Sequence, residues 1–184
     1  MYRILRKIPK PRDPVLLSLV TIAILSAAVS WLYFSRGQSV QDSLGGGQAV
    51  KAELTVQVDT PGADGRSVRR SIRTEDAGKI RELTAIMERY PHNRKISFLP
   101  KFFTETTTMM WVNLACAPEN GRTVWTQELV YSDGYMQAAL SDGDLFLCGA
   151  GRFGNSRTKE YFAQLENFYQ KKAKSMDWGP ETYW

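Results

Sequence analysis

"TTMMWVNLACAPENGRTVWTQELVYSDGYMQAALSDGDLFLCG", residues 107–149, decides the architecture of this chain. It holds three dipeptides, Asn120-Gly121, Asp133-Gly134 and Asp142-Gly143, of the kind that supplies the φ > 0 backbone of tight hairpin turns. Between them lie four apolar or alternating runs, "TTMMWVNLACA", "RTVWTQELVY", "YMQAAL" and "DLFLCG". Four strands joined by three short turns form an antiparallel meander.

On the C-terminal side, Thr158 reads as the cap of a final helix with Tyr161, Phe162, Leu165, Phe168 and Tyr169 on one stripe. On the N-terminal side, "RKISF" (94–98) reads as one more strand. Before it comes a helix whose apolar residues, Ile80, Leu83, Ile86 or Met87, and Tyr90, recur at helical spacing for about four turns. Thr74 reads as its cap, Glu75 and Asp76 suit its first turn, and Pro91 ends it. Two strands open the domain: "VKAELTVQVDT" (50–60), with Leu54, Val56 and Val58 on one face, and "SVRRSIRT" (67–74), with Val68 and Ile72 on one face. The expected class is α+β, in the order β-β-α-β-β-β-β-β-α, with helices covering one face of an antiparallel sheet.

"VLLSLVTIAILSAAVSWLYF", residues 15–34, is 20 residues without a charge. At about 1.5 Å per residue it spans the roughly 30 Å hydrocarbon core of a bilayer. Residues 1–14 hold five basic side chains, Arg3, Arg6, Lys7, Lys10 and Arg12, against Asp13 alone. That asymmetry places the N-terminus in the cytoplasm and the domain outside. The net charge of +5 is therefore a property of the tail, since the remaining chain holds 19 basic and 18 acidic residues. A nucleic-acid function loses its main support. "AVS" at 28–30 also suits a signal-peptide cleavage after Ser30. The apolar run continues through Trp31–Phe34, long for such a segment, and this favours an uncleaved anchor. The expected layout is a basic cytoplasmic tail (1–14), a transmembrane helix (15–34), a flexible Gly-rich linker (35–48) and an extracytoplasmic α+β domain (49–184).

The chemistry-bearing residues are few. "LFLCGAGRFGNS" (145–156) contains G-x-G-x-x-G, but its preceding strand belongs to a meander. A dinucleotide site needs a βαβ unit and an acidic residue ending the next strand, and no parallel strand is expected after the final helix. The glycines read as a sharp strand-to-helix turn, with a residual anion nest near Arg152 and Arg157. The one histidine, His92, reads as a solvated loop residue. No nucleophile motif is present, and Cys116, Cys148 and His92 lack the spacing of a zinc site. Asp142 and Asp144 are hairpin residues without the rest of a calcium loop. No cofactor or metal is expected. Cys116 and Cys148 both end apolar strands, so they either meet in a disulfide or stand as buried thiols.

Two surfaces suit binding. Arg69 and Arg73 share a strand face, with Arg81 on the following helix and Arg152 beyond; a solvated face is the commoner meaning of such a cluster, and an acidic partner, lipid headgroups or an anionic polymer the sharper one. The tail "DWGPETYW" (177–184) carries Trp178, Tyr183 and Trp184; most such aromatics are expected to pack back on the domain, and the alternative is docking on a partner, since Trp and Tyr are favoured interface anchors. Together these features read as a single-pass, signal-anchored module of a cell envelope. It binds or assembles a protein partner without catalysis, and homo-oligomers remain open. The alternative is an envelope inhibitor, ligand sensor or enzyme acting on cell-wall or peptide substrates.

Overall fold

The computed structural model describes residues 14–44, 47–59, 67–94, 107–117, 123–139, 145–150 and 157–183. The chain divides into two units, 1–34 and 35–184.

The first unit is built on α1 (Pro14–Ser35), a helix of 22 residues. Proline suits its first position, where the missing N–H would have no helical partner anyway. The hydroxyls of Ser18 and Thr21 donate to the carbonyls of Pro14 and Leu17, each at 2.9 Å, so they present no open donor outward. Its span Pro14–Tyr33 is long and apolar enough to cross a membrane, and none of it is buried. An N-terminal signal sequence has the same character.

The second unit is α+β with one antiparallel sheet. Its strands are β1 (Ala49–Asp59), β2 (Ser67–Thr74), β3 (His92–Arg94), β4 (Thr107–Cys116), β5 (Val124–Tyr131), β6 (Met136–Ala139), β7 (Leu145–Ala150) and β8 (Thr182–Tyr183). They lie in the order β3-β7-β6-β5-β4-β1-β2-β8. Pairing follows the period of two. Leu54 faces both Ile72 and Val112, Val112 faces Glu128, and Glu128 faces Ala138. That row belongs to the face covered by α3 (Ala77–Met87) and α4 (Thr158–Ser175). Ile80, Leu83, Met87, Tyr161, Leu165 and Tyr169 close the core against it. The opposite face carries a smaller apolar cluster of Met109, Leu129 and Tyr131, with Trp111 and Tyr135 packed beside it.

The Asp133-Gly134 turn is present. Gly134 has φ +94°, its N–H donates to the Tyr131 carbonyl at 3.0 Å, and Asp133 Oδ1 accepts from the Tyr135 N–H at 2.9 Å. The Asn120-Gly121 and Asp142-Gly143 turns lie outside the described residues, as do Asp144 and the glycines Gly151 and Gly154 of the Gly-rich stretch.

Several local expectations are corrected. Asp76, not Thr74, caps α3, its Oδ1 accepting from the N–H groups of Gly78 and Lys79 at 2.8 and 2.9 Å. Thr158 is the first residue of α4 and not its cap; its hydroxyl is turned to the sheet, where it accepts from the Ala150 N–H at 3.1 Å. The strand expected at 94–98 lies earlier, at His92–Arg94, and residues 95–98 are outside the described set.

Within the expected linker, Gln38, Val40 and Leu44 attach to the folded unit. Gln38 exchanges both backbone hydrogen bonds with His92, at 2.7 and 2.9 Å. Ser39 then caps a short helix, α2 (Val40–Ser43), in a capping box with Asp42. Val40 and Leu44, the two large apolar residues of this stretch, are four apart, share one side of the turn and bury in the core.

The register also separates the cysteines. Leu147 pairs with Gln137, Gln137 with Leu129, and Leu129 with Trp111, so Cys148 lies near the row of Trp111, whereas Cys116 lies five residues further along β4. Three strand spacings of about 4.8 Å and five residues of about 3.4 Å part them, far beyond the Cα separation a disulfide tolerates. Both are buried thiols outside any disulfide, and burial pushes the Cys116 thiol up from its ordinary range.

Candidate binding site

Three features of the second unit bear on function: an open groove, a buried polar cluster and the docked C-terminal tail. The groove lies between α2, the start of β1 and α3 and encloses about 750 Å³. Val40, Leu44 and Ile80 supply its apolar floor, and Ala77, Thr84 and Ala85 are the small side chains that keep it open. Arg81 and Glu88 stand at its rim on the exposed side of α3, two turns apart and opposite in charge. An apolar floor with a few polar groups, in the 300–1,000 Å³ range, is the ordinary make-up of a ligand or peptide site.

The polar cluster lies inside the core. Glu128, at 3% exposure, sits on the helix-facing side of β5. Its Oε2 accepts from the Tyr161 hydroxyl at 2.6 Å, and its Oε1 is 3.4 Å from Nε2 of His92, which is itself 2% exposed. His92 is therefore a core residue and not a solvated loop residue. Pairing of β3 with β7 on one side and with Gln38 on the other seals it. Burial above all, then the charge and hydrogen bond of Glu128, holds the Tyr161 hydroxyl well above its ordinary range, so it stays a donor. Tyr161 stacks on Tyr90 with ring centroids 5.0 Å apart. The Tyr90 hydroxyl donates to Glu160 at 2.9 Å, and Arg157 covers the Tyr90 ring at 4.8 Å while pairing with Glu160. Hydrogen bonds from Arg157 first and Tyr90 second hold the Glu160 carboxyl below its usual range. A polar seam thus runs from the core to the surface at the start of α4.

The tail folds back on its own domain. Met176 ends α4 in the left-handed region at φ 56° and Gly179 adds φ +87°, which together reverse the chain. Trp178 is consequently buried at 2% exposure, edge-on to Phe168 at 5.4 Å, so it is unavailable as a partner anchor. Lys172 pairs with Glu82 at 2.7 Å and Asp177 at 3.3 Å, and the Lys79 ammonium donates to the Asp177 carbonyl. Glu181 accepts from the hydroxyls of Tyr169 at 2.5 Å and Tyr183 at 2.6 Å, with Arg70 at 3.9 Å.

The Tyr169 hydrogen bond, followed by that of Tyr183, holds the Glu181 carboxyl below its ordinary range. A lowered carboxyl stabilises the fold fully above its unfolded value and loses that contribution as pH falls through the lowered one. Acidification below about pH 4 is therefore expected to loosen β8. Amide resonances of Thr182 and Tyr183, followed by NMR between about pH 6 and pH 3, check this: they should titrate while those of β4 hold still. Unmoved resonances would remove ionised Glu181 as the clamp.

The expected arginine surface is not one patch. Arg69 and Arg73 pair with Gln57 and Glu53 on the face without helices, whereas Arg81 is on α3, across the sheet. Arg152 and Trp184 lie outside the described residues, and Tyr183 is exposed in β8. Sequence reasoning missed Glu128, although its signal was legible: it shares parity with Thr126 and Val130, which puts it on the inward face of the strand. Among the described residues no group of three or more metal-ligating side chains comes together. Compared with protein-family models, curated proteins and solved structures, the chain matches none.

Proposed function

We propose that this protein is a membrane-tethered, non-catalytic binding module. In this reading α1 stays in the cell membrane as a single-pass anchor, with the basic N-terminus in the cytoplasm and the α+β unit outside. The groove between α2 and α3 receives a segment of an envelope protein partner. The observation that carries the reading is the groove itself, open, apolar at its floor and rimmed by Arg81 and Glu88. Closure of the His92–Glu128 pair within the core further favours binding over catalysis, because substrate would have to displace packed side chains to reach it.

A photo-cross-linking residue at position 84, on α3 in the groove, tests this in intact membranes. One discrete protein adduct is expected, and Ala85→Trp, which fills the groove from an exposed position, should reduce it about tenfold, equivalent to roughly 1.4 kcal/mol of binding. The same adduct from the exposed position 159 on α4, or indifference to Ala85→Trp, would count against the groove as the site.

A further inference from the structure

We propose that the outer edge of β2 is a second docking surface, taking an extended acidic segment of a partner as an added antiparallel strand, and that β8 is its displaceable placeholder. β2 has eight residues, yet among the described residues only Thr182 and Tyr183 pair with its outer edge, against Ser71 and Arg70. Both β8 residues are exposed, so this cover buries little. An edge strand with unpaired backbone groups is a template for another strand unless something discriminates against it.

Charge supplies the discrimination. Arg69 and Arg73 lie four residues apart on one face of β2, with Ser71, a small side chain, between them. Arg69 is held in place by Gln57, which accepts from its Nε at 2.6 Å, and by Trp111, whose ring centre is 5.0 Å from the guanidinium carbon. A guanidinium engages a carboxylate through its terminal nitrogens. Arg73 is exposed, with Glu53 opposite it in the register. A second copy of β2 would bring arginines against arginines, whereas a strand with acidic residues four apart matches both. Trp178 remains as the anchor of the tail when β8 lifts.

The test uses the full chain in phosphatidylcholine nanodiscs and a labelled, end-capped, seven-residue peptide of valine and threonine with glutamates at its second and sixth positions. It should bind about tenfold tighter than the same composition with glutamates at the second and fifth positions. N-methylation of the central peptide bonds should abolish binding, because the ladder loses its donors. Arg73→Glu, at an exposed position, should weaken binding about tenfold, and Thr182→Pro, which removes a β8 donor, should strengthen it. The proposal is overturned by absence of binding, by equal binding of the two spacings, or by indifference to Arg73→Glu. Arginine-dependent binding to phosphatidylglycerol nanodiscs without peptide binding would assign the edge to lipid and overturn it too. None of these results depends on the groove.

Discussion

Trp178→Ala is expected to lower the stability of the 35–184 unit by about 3–5 kcal/mol, the range for removing a buried large aromatic side chain. For about 150 residues this corresponds to a fall in Tm of roughly ten degrees or more. The size follows from position. Trp178 is among the largest fully buried side chains, and Phe168 meets it edge-on. Its loss also releases the turn that brings Glu181 to Tyr169 and Arg70, so β8 should melt with it. Trp178→Phe is expected to cost about 1 kcal/mol, because most of the volume stays and an indole N–H without a hydrogen-bond partner is removed. Chemical denaturation of the three proteins measures both values. A tail that served as a free anchor for a partner would leave stability unchanged in both variants.

The second large effect concerns Glu128. Tyr161→Phe removes the hydroxyl that donates to this carboxylate at 2.6 Å and leaves, among the described residues, His92 Nε2 at 3.4 Å as its remaining polar neighbour, at a cost of about 1.5–3 kcal/mol. Glu128→Leu removes the charge itself from a site flanked by Val112 and Ala138. Replacing a buried charge by a well-packed apolar side chain is often close to neutral, whereas orphaning one partner is not. The double variant Glu128→Leu with Tyr161→Phe is therefore expected to be more stable than Tyr161→Phe alone. Urea unfolding of the four proteins closes the cycle. Additive losses, with the double variant the least stable, would show that Glu128 and Tyr161 do not act as a pair.

How much of this was legible in the sequence depends on the range of the interactions. The alternation of Leu54–Val58 and of Met110–Cys116, with the Asp133-Gly134 turn, is local, and a half-buried sheet needs no more than that to show itself. The stripe of α4 is legible for the same reason, since Tyr161, Leu165 and Tyr169 lie at helical spacing and are buried together. His92 was not legible, because its burial comes from pairing with Ala150 and Gln38, partners remote in sequence. The docking of Val40 and Leu44 was obscured by the glycines and polar residues around them, which read as linker although two apolar side chains four apart suffice to anchor one turn. The tail left two outcomes open, packing back on the domain or docking outward. Its composition does not decide between them, and the reversal at Met176 and Gly179, which turns Trp178 inward, does. The groove has no sequence signature, because it is the space left where α2 and α3 meet the start of β1.

Retention of α1 in the membrane is open to a single direct measurement. The intact mass of the chain recovered from washed membranes, with protease added from the outer side, reports retention and orientation together. An uncleaved N-terminus in the membrane fraction and a 35–184 unit exposed to the external protease are expected. A soluble chain beginning at Trp31 would contradict this, and would make α1 a signal segment and the folded unit a secreted binder.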